Sequence, residues 1–154
     1  MLNRIIVTVF FLCMACASLA SAGDLINGAK PEQILAIVRG FGSAKLDKDK
    51  DGDPTIKCTV DDIKYAVVFY GCSDGKNCSS IQFVAGWSGK KVRLETINEW
   101  NSKKRFTKAY IDSDNDPMLV MDINLDYGVT EQNLEDSIKM WNRNVSKFKE
   151  KISD

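Results

Sequence analysis

The run "YAVVFYGCSDGKNCSSIQFVAGW", Tyr65 to Trp87, decides the fold. Its first part, "YAVVFYG", is apolar throughout, as in a central strand. Its last part, "SIQFVAGW", alternates, placing Ile81, Phe83, Ala85 and Trp87 on one face. Between them "CSDGKNC" carries an Asp-Gly pair, a turn former. Two strands joined by a short turn lie antiparallel, so this stretch is a hairpin of an antiparallel sheet. Cys72 and Cys78 bracket the turn, and a bridge across a hairpin is sterically reasonable. Chain-entropy arithmetic for so short a loop gives about 2.4 kcal/mol of stabilisation. The alternative, a redox pair, lacks both a Cys-x-x-Cys spacing and a helix N-terminus that would lower a thiol pKa.

Upstream, "TIKCTV" alternates with Ile56, Cys58 and Val60 on one face, and Asp61-Asp62 marks a turn into the central strand. That hairpin sets Cys58 beside Tyr65 or Val67, too far from Cys72 to pair, so Cys58 reads as a small buried hydrophobe. Further upstream a helix runs from Pro31 to about Arg39, with Ile34, Ile37, Val38 and Phe41 at helical spacing, and an aspartate-rich loop follows it. Downstream, "SGKK" breaks the chain. "VRLETINEWN" reads as a second helix with Leu94, Ile97 and either Trp100 or Asn101 inward. "RFTKAYID" and "MLVMDINL" flank "SDND-Pro" as a second hairpin, with Leu119, Met121, Ile123 and Leu125 on one face. Thr130 is the expected N-cap of a long final helix. Its stripe of Leu134, Ile138, Trp141, Val145, Phe148 and Ile152 repeats every 3.5 residues. The stripe is expected to cover the sheet of its own chain. The order is α-βββ-α-ββ-α, an α+β domain built on an antiparallel sheet with helices.

The first 22 residues stand apart. Arg4 precedes an apolar run, "IIVTVFFLCMACA", and Ala20 and Ala22 occupy the −3 and −1 positions of a cleavage site. This is the pattern of a secretory signal peptide, residues 1–22, which implies cleavage after Ala22 and a periplasmic or secreted single domain over 23–154. Loss of Arg4 leaves the mature chain near neutral, which gives no electrostatic case for nucleic acid or an anionic membrane surface. The sequence has no histidine, which removes Ser-His and Cys-His catalysis and the commonest transition-metal ligand. Cys58, Cys72 and Cys78 would reach a compartment that permits disulfides.

Three short motifs invite chemistry. "DKDKDGDP", from Asp47, opens like a calcium loop, but the position of the required bidentate glutamate is Cys58 and a strand follows. The same grammar recurs in "DSDNDP", Asp112 to Pro117, also before a strand. Two proline-ended Asx turns explain both, with weak calcium binding by the Asp47–Asp53 loop as the alternative. "SDGK" matches a Ser-x-x-Lys pattern but lies in a hairpin, away from any helix start. "INEWN" offers Asn98, Trp100 and Asn101 as a polar-aromatic recognition surface; the alternative places Trp100 in the core and Asn101 at the helix end.

The path "DGDP", "VVFYGCSDGKNCSSIQF", "INEWNSKKRFTKAYID", "DPMLVMDINLDYGVT" and an amphipathic helix containing Trp141 resembles the YbjN-domain family, bacterial proteins described as sensory transduction regulators. The likeness spans about Pro31 to Ile152. It implies a fold similar to type III secretion chaperones, no known catalytic residues and no cofactor. The resulting expectation is a non-enzymatic, exported, protein-binding or chaperone-like regulatory module. Its protein partner is unnamed, nucleic acid and membrane are not expected as partners of the cleaved chain, and it is a monomer or a homodimer. The alternatives are a small extracytoplasmic enzyme without histidine, or a weakly calcium-responsive protein.

Overall fold

The computed structural model describes residues 25–153, so the expected signal peptide lies outside the described residues. One six-stranded sheet, all antiparallel, organises the chain. In chain order the elements are α1 (Pro31–Arg39), β1 (Ser43–Lys48), β2 (Pro54–Val60), β3 (Ile63–Tyr70), β4 (Ser80–Gly86), α2 (Leu94–Lys103), β5 (Lys108–Ile111), β6 (Pro117–Asn124) and α3 (Glu131–Lys151). The sheet order is β1-β2-β3-β4-β6-β5, which puts the disulfide-bearing β3–β4 hairpin at the centre.

The expected α+β architecture holds, with one strand added. Ser43–Lys48, read from sequence as part of an aspartate-rich loop, is the edge strand β1. Ala44 and Leu46 pack against the core there, and Ser43, Lys45 and Asp47 take the alternate positions. Such a pattern is ordinary for an edge exposed on one side. A second correction concerns α2. Leu94 is 64% exposed, and Ile97 and Trp100 are its inward residues.

All three helices cover the same side of the sheet. Strand residues at alternate positions, such as Ile56, Val67, Phe83 and Leu119, join helix residues in one buried cluster. The whole predicted stripe of α3 is buried in the monomer, from Leu134 to Ile152. Trp141 sits at its middle, with ring centroids 5.7 Å from Tyr65 and 5.6 Å from Phe83. Each side chain of this size contributes about 1.5–3 kcal/mol on burial, so α3 serves its own core. Thr130 caps the helix as expected, its hydroxyl accepting from the Asn133 N–H at 3.1 Å.

The two aspartate-rich turns share one geometry. Asp49 Oδ1 accepts from the Asp51 and Asp53 N–H groups, and Asp112 Oδ1 accepts from those of Asp114 and Asp116. In each turn the first N–H donates to the fifth carbonyl, Asp49 to Asp53 and Asp112 to Asp116. Gly52 and Asn115 hold the left-handed position in their respective turns, at φ 88° and 62°. The likeness extends beyond the turns. At constant spacing, Glu32 matches Glu95, Ile34 matches Ile97, Lys45 matches Lys108, Pro54 matches Pro117 and Ile56 matches Leu119. Thus α1-β1-β2 and α2-β5-β6 are two versions of one unit. The sheet order reads alike from either end when β1-β2 is matched with β5-β6 and β3 with β4, a pseudo-two-fold normal to the sheet.

An extended strap precedes α1. Ile26 and Val129 exchange two backbone hydrogen bonds of 2.8 Å, and the Cys78 N–H donates to the Gly28 carbonyl at 3.2 Å. Only glycine fits at 28, since a Cβ there would lie 1.9 Å from the Cys78 oxygen.

Candidate functional site

Among the described residues, no helix covers the other face of the sheet. Its residues follow from the register. One cross-strand row reads Lys45, Lys57, Ala66, Val84, Val120, Lys108. The neighbouring row reads Asp47, Thr55, Val68, Gln82, Asp122. The face therefore has an apolar centre on β3, β4 and β6, with lysines at both flanks. Val120 is only 2% exposed and stands outside the main core cluster. Met118 extends over Gly86, where a Cβ would fall 2.5 Å from the Met118 sulfur. A glycine at the end of β4 thus lets the thioether lie flat on the sheet. Gln82 donates to Asp122 at 2.7 Å, and Lys57 pairs with Asp47 at 2.6 Å.

Tyr110, on β5, borders this face with the Lys108 ammonium 5.7 Å from its ring centroid. Burial pushes its phenol up, and the charges of Asp112 and Tyr70 act in the same direction. "YAVVFYG" is the central strand expected; its Ala66 and Val68 are half-buried, with no helix over them among the described residues.

The motifs singled out from sequence divide clearly. Cys72 and Cys78 are joined by a disulfide. Cys58 is free and buried, and of the two positions the Asp61-Asp62 turn allowed, Tyr65 and Val67, it faces Tyr65 in the β2–β3 register. Burial pushes its thiol up to about 11, so it is an inert core residue. Asn98, Trp100 and Asn101 do not share a surface. Trp100 is 2% exposed, its indole N–H donating to the Thr107 hydroxyl at 3.2 Å. Asn101 turns to β5: its amide donates to the Ala109 carbonyl at 2.9 Å and accepts from the Ala109 N–H at 2.8 Å. Only Asn98 points to solvent without such a role. A helix seating one face on a sheet must bury its large aromatic residue, which breaks up the expected recognition patch.

The aspartate turns direct their first carboxylate at their own backbone. Among the described residues, no group of three or more Asp, Glu, Cys or His side chains is arranged to hold a metal ion. The bare sheet face is the site that sequence reasoning missed. Its signal was present as the lysine–apolar–lysine pattern across strands, but that row exists only once the register is known.

The fold and its surfaces define an α+β domain with helices on one side and an open, lysine-flanked apolar face on the other. The chain belongs to the YbjN family: residues 30–154 match it, under the description "Putative bacterial sensory transduction regulator". That description names a regulator and no reaction. No curated protein and no solved structure matches the chain.

Proposed function

We propose that this chain is an exported, non-enzymatic regulatory module that binds a partner protein on the bare face of its sheet. The observation that carries the reading is the set of half-buried apolar residues Ala66, Val68 and Val84 at the centre of the face, between the exposed Lys57 and Lys108. An apolar centre between lysines fits a protein surface with an apolar centre and flanking carboxylates. Complementary charge of this kind supplies orientation and association rate, while the apolar centre supplies contact area. The family description of a regulator agrees with a binding role. Export is supported by the signal-peptide pattern of residues 1–22 and by a disulfide joining Cys72 to Cys78.

A photo-crosslinking residue at Val68, on the bare face, is the direct test, with one at Lys147 on the exposed side of α3 as control. In intact bacteria, position 68 is expected to yield a discrete protein adduct that position 147 does not. Lys57→Glu combined with Lys108→Glu is expected to weaken that adduct. Equal labelling at both positions, or an adduct indifferent to the two lysines, would overturn the assignment. Mass spectrometry of the exported chain is expected to find Gly23 as its first residue.

A further inference from the structure

The two edges of the sheet are finished differently, and the internal repeat makes the comparison controlled. In an antiparallel ladder, residues alternate between facing the partner strand and facing away. The Asp112-to-Asp116 bond fixes the phase for β5, so Ala109 points its N–H and C=O outward. Asn101 from α2 binds both, and that edge is closed. The Asp49-to-Asp53 bond fixes the phase for β1, so Ala44, Leu46 and Lys48 point outward. Leu46 is the counterpart of Ala109, but the counterpart of Asn101 is Val38, which is buried and has no polar atom to offer. Among the described residues, no side chain hydrogen-bonds the Leu46 N–H or C=O. The β1 edge is open at its centre.

We infer that a second copy of this chain pairs there, β1 against β1, to form a continuous twelve-stranded sheet across a two-fold axis at Leu46. The sequence of the strand selects both partner and register. Outward groups must meet outward groups, so Leu46 can face Ala44, Leu46 or Lys48 of the partner. The first register sets Lys45 against Lys45, and the third sets Asp47 against Asp47. Only the middle register sets Lys45 against the partner's Asp47, twice, at the closely spaced positions of the ladder. It also pairs the largest number of outward groups, with Ala44 facing Lys48. A cleft of about 460 Å³ beside the strand, bordered by Pro31, Leu46 and Pro54, leaves room on the helix side for the partner's Leu46.

Two local bonds must be exchanged on pairing. The Arg39 guanidinium donates to the Ala44 carbonyl at 3.1 Å, and the Lys48 N–H donates to Asp47 Oδ1 at 2.9 Å. Both groups then turn to the partner strand. This exchange sets a weak, concentration-dependent dimer in place of an obligate one.

The test is sedimentation equilibrium on the oxidised mature protein from about 10 µM to about 1 mM, a range suited to weak association. A monomer–dimer equilibrium that weakens with salt is expected. Lys45→Asp alone and Asp47→Lys alone are each expected to raise the dissociation constant at least about tenfold, since each puts like charges opposite one another. The double reversal restores it. An equimolar mixture of the two single variants is expected to associate although neither does so alone. Circular dichroism and thermal melting establish that each variant is folded. A protein that stays monomeric throughout the range overturns the inference, as does a dimer indifferent to these reversals. Leu46→Pro, which removes the central N–H, is expected to abolish pairing in a folded protein.

Discussion

Trp141 offers a sharp test of how the core is held together. Its side chain is fully buried against Tyr65 and Phe83, yet among the described residues its buried indole N–H finds no hydrogen-bond partner. Two opposing contributions can therefore be separated by two substitutions. Trp141→Ala removes the whole ring and leaves a cavity, at a cost of about 3–5 kcal/mol. Trp141→Phe keeps a ring for the aromatic contacts and loses only the smaller half of the indole, at a cost of about 1–2 kcal/mol of apolar burial. It also removes a donor whose desolvation costs about 1–3 kcal/mol when unmet. The two contributions nearly cancel, so Trp141→Phe is expected to lie within about 1 kcal/mol of the parent. Urea unfolding monitored by circular dichroism measures both differences. A Trp141→Phe loss approaching that of Trp141→Ala would refute the reasoning, because the N–H would then have been satisfied or irrelevant. A Trp141→Ala protein as stable as the parent would refute the placement of α3 on its own sheet.

Three further outcomes follow from the same geometry. Replacing Cys72 and Cys78 with serine is expected to cost about 2.4 kcal/mol by loop entropy, read as a lower urea midpoint that matches the reduced parent. Asn101→Ala removes both hydrogen bonds to Ala109 and is expected to cost about 1–3 kcal/mol, with faster amide exchange at Ala109 as its local signature. Hydrogen bonds from Lys103, then Lys151, hold the Glu99 carboxyl at about 2. Because this folded pKa is depressed, the stabilisation is present above the ordinary carboxylate range and is lost as pH falls from about 4.5 towards 2. An NMR titration should show Glu99 moving upward in Lys103→Ala, and salt should reduce the shift because the pair is exposed.

Where the sequence was legible, short-range rules decided the outcome. The β3–β4 hairpin and the Asp61-Asp62 turn followed from turn residues and alternation, which act over a few positions and left Cys58 beside Tyr65 or Val67, of which the register selects Tyr65. The α3 stripe followed from spacing alone. β1 was missed because "SAKLDK" has only two apolar residues, and its strand character comes from pairing with β2. Leu94 was misplaced for a related reason. Helical spacing admits several faces, and the face that holds the large Trp100, with Ile97 beside it, is the one seated on the sheet. The role of Asn101 depends on where β5 passes, which no local pattern states. The bare face was hidden for the same reason, since its row draws on residues from five strands or more.

The strap bears on when the molecule becomes complete. Ile26 is held by Val129 and Gly28 by Cys78, so this segment waits for residues synthesised much later. Contacts between positions so far apart close late, because loop closure precedes their reward. The β6–α3 turn must already be formed when Ile26 docks, and the β3–β4 hairpin when Gly28 docks. The strap is thus expected to settle after the turn and the hairpin on which it docks.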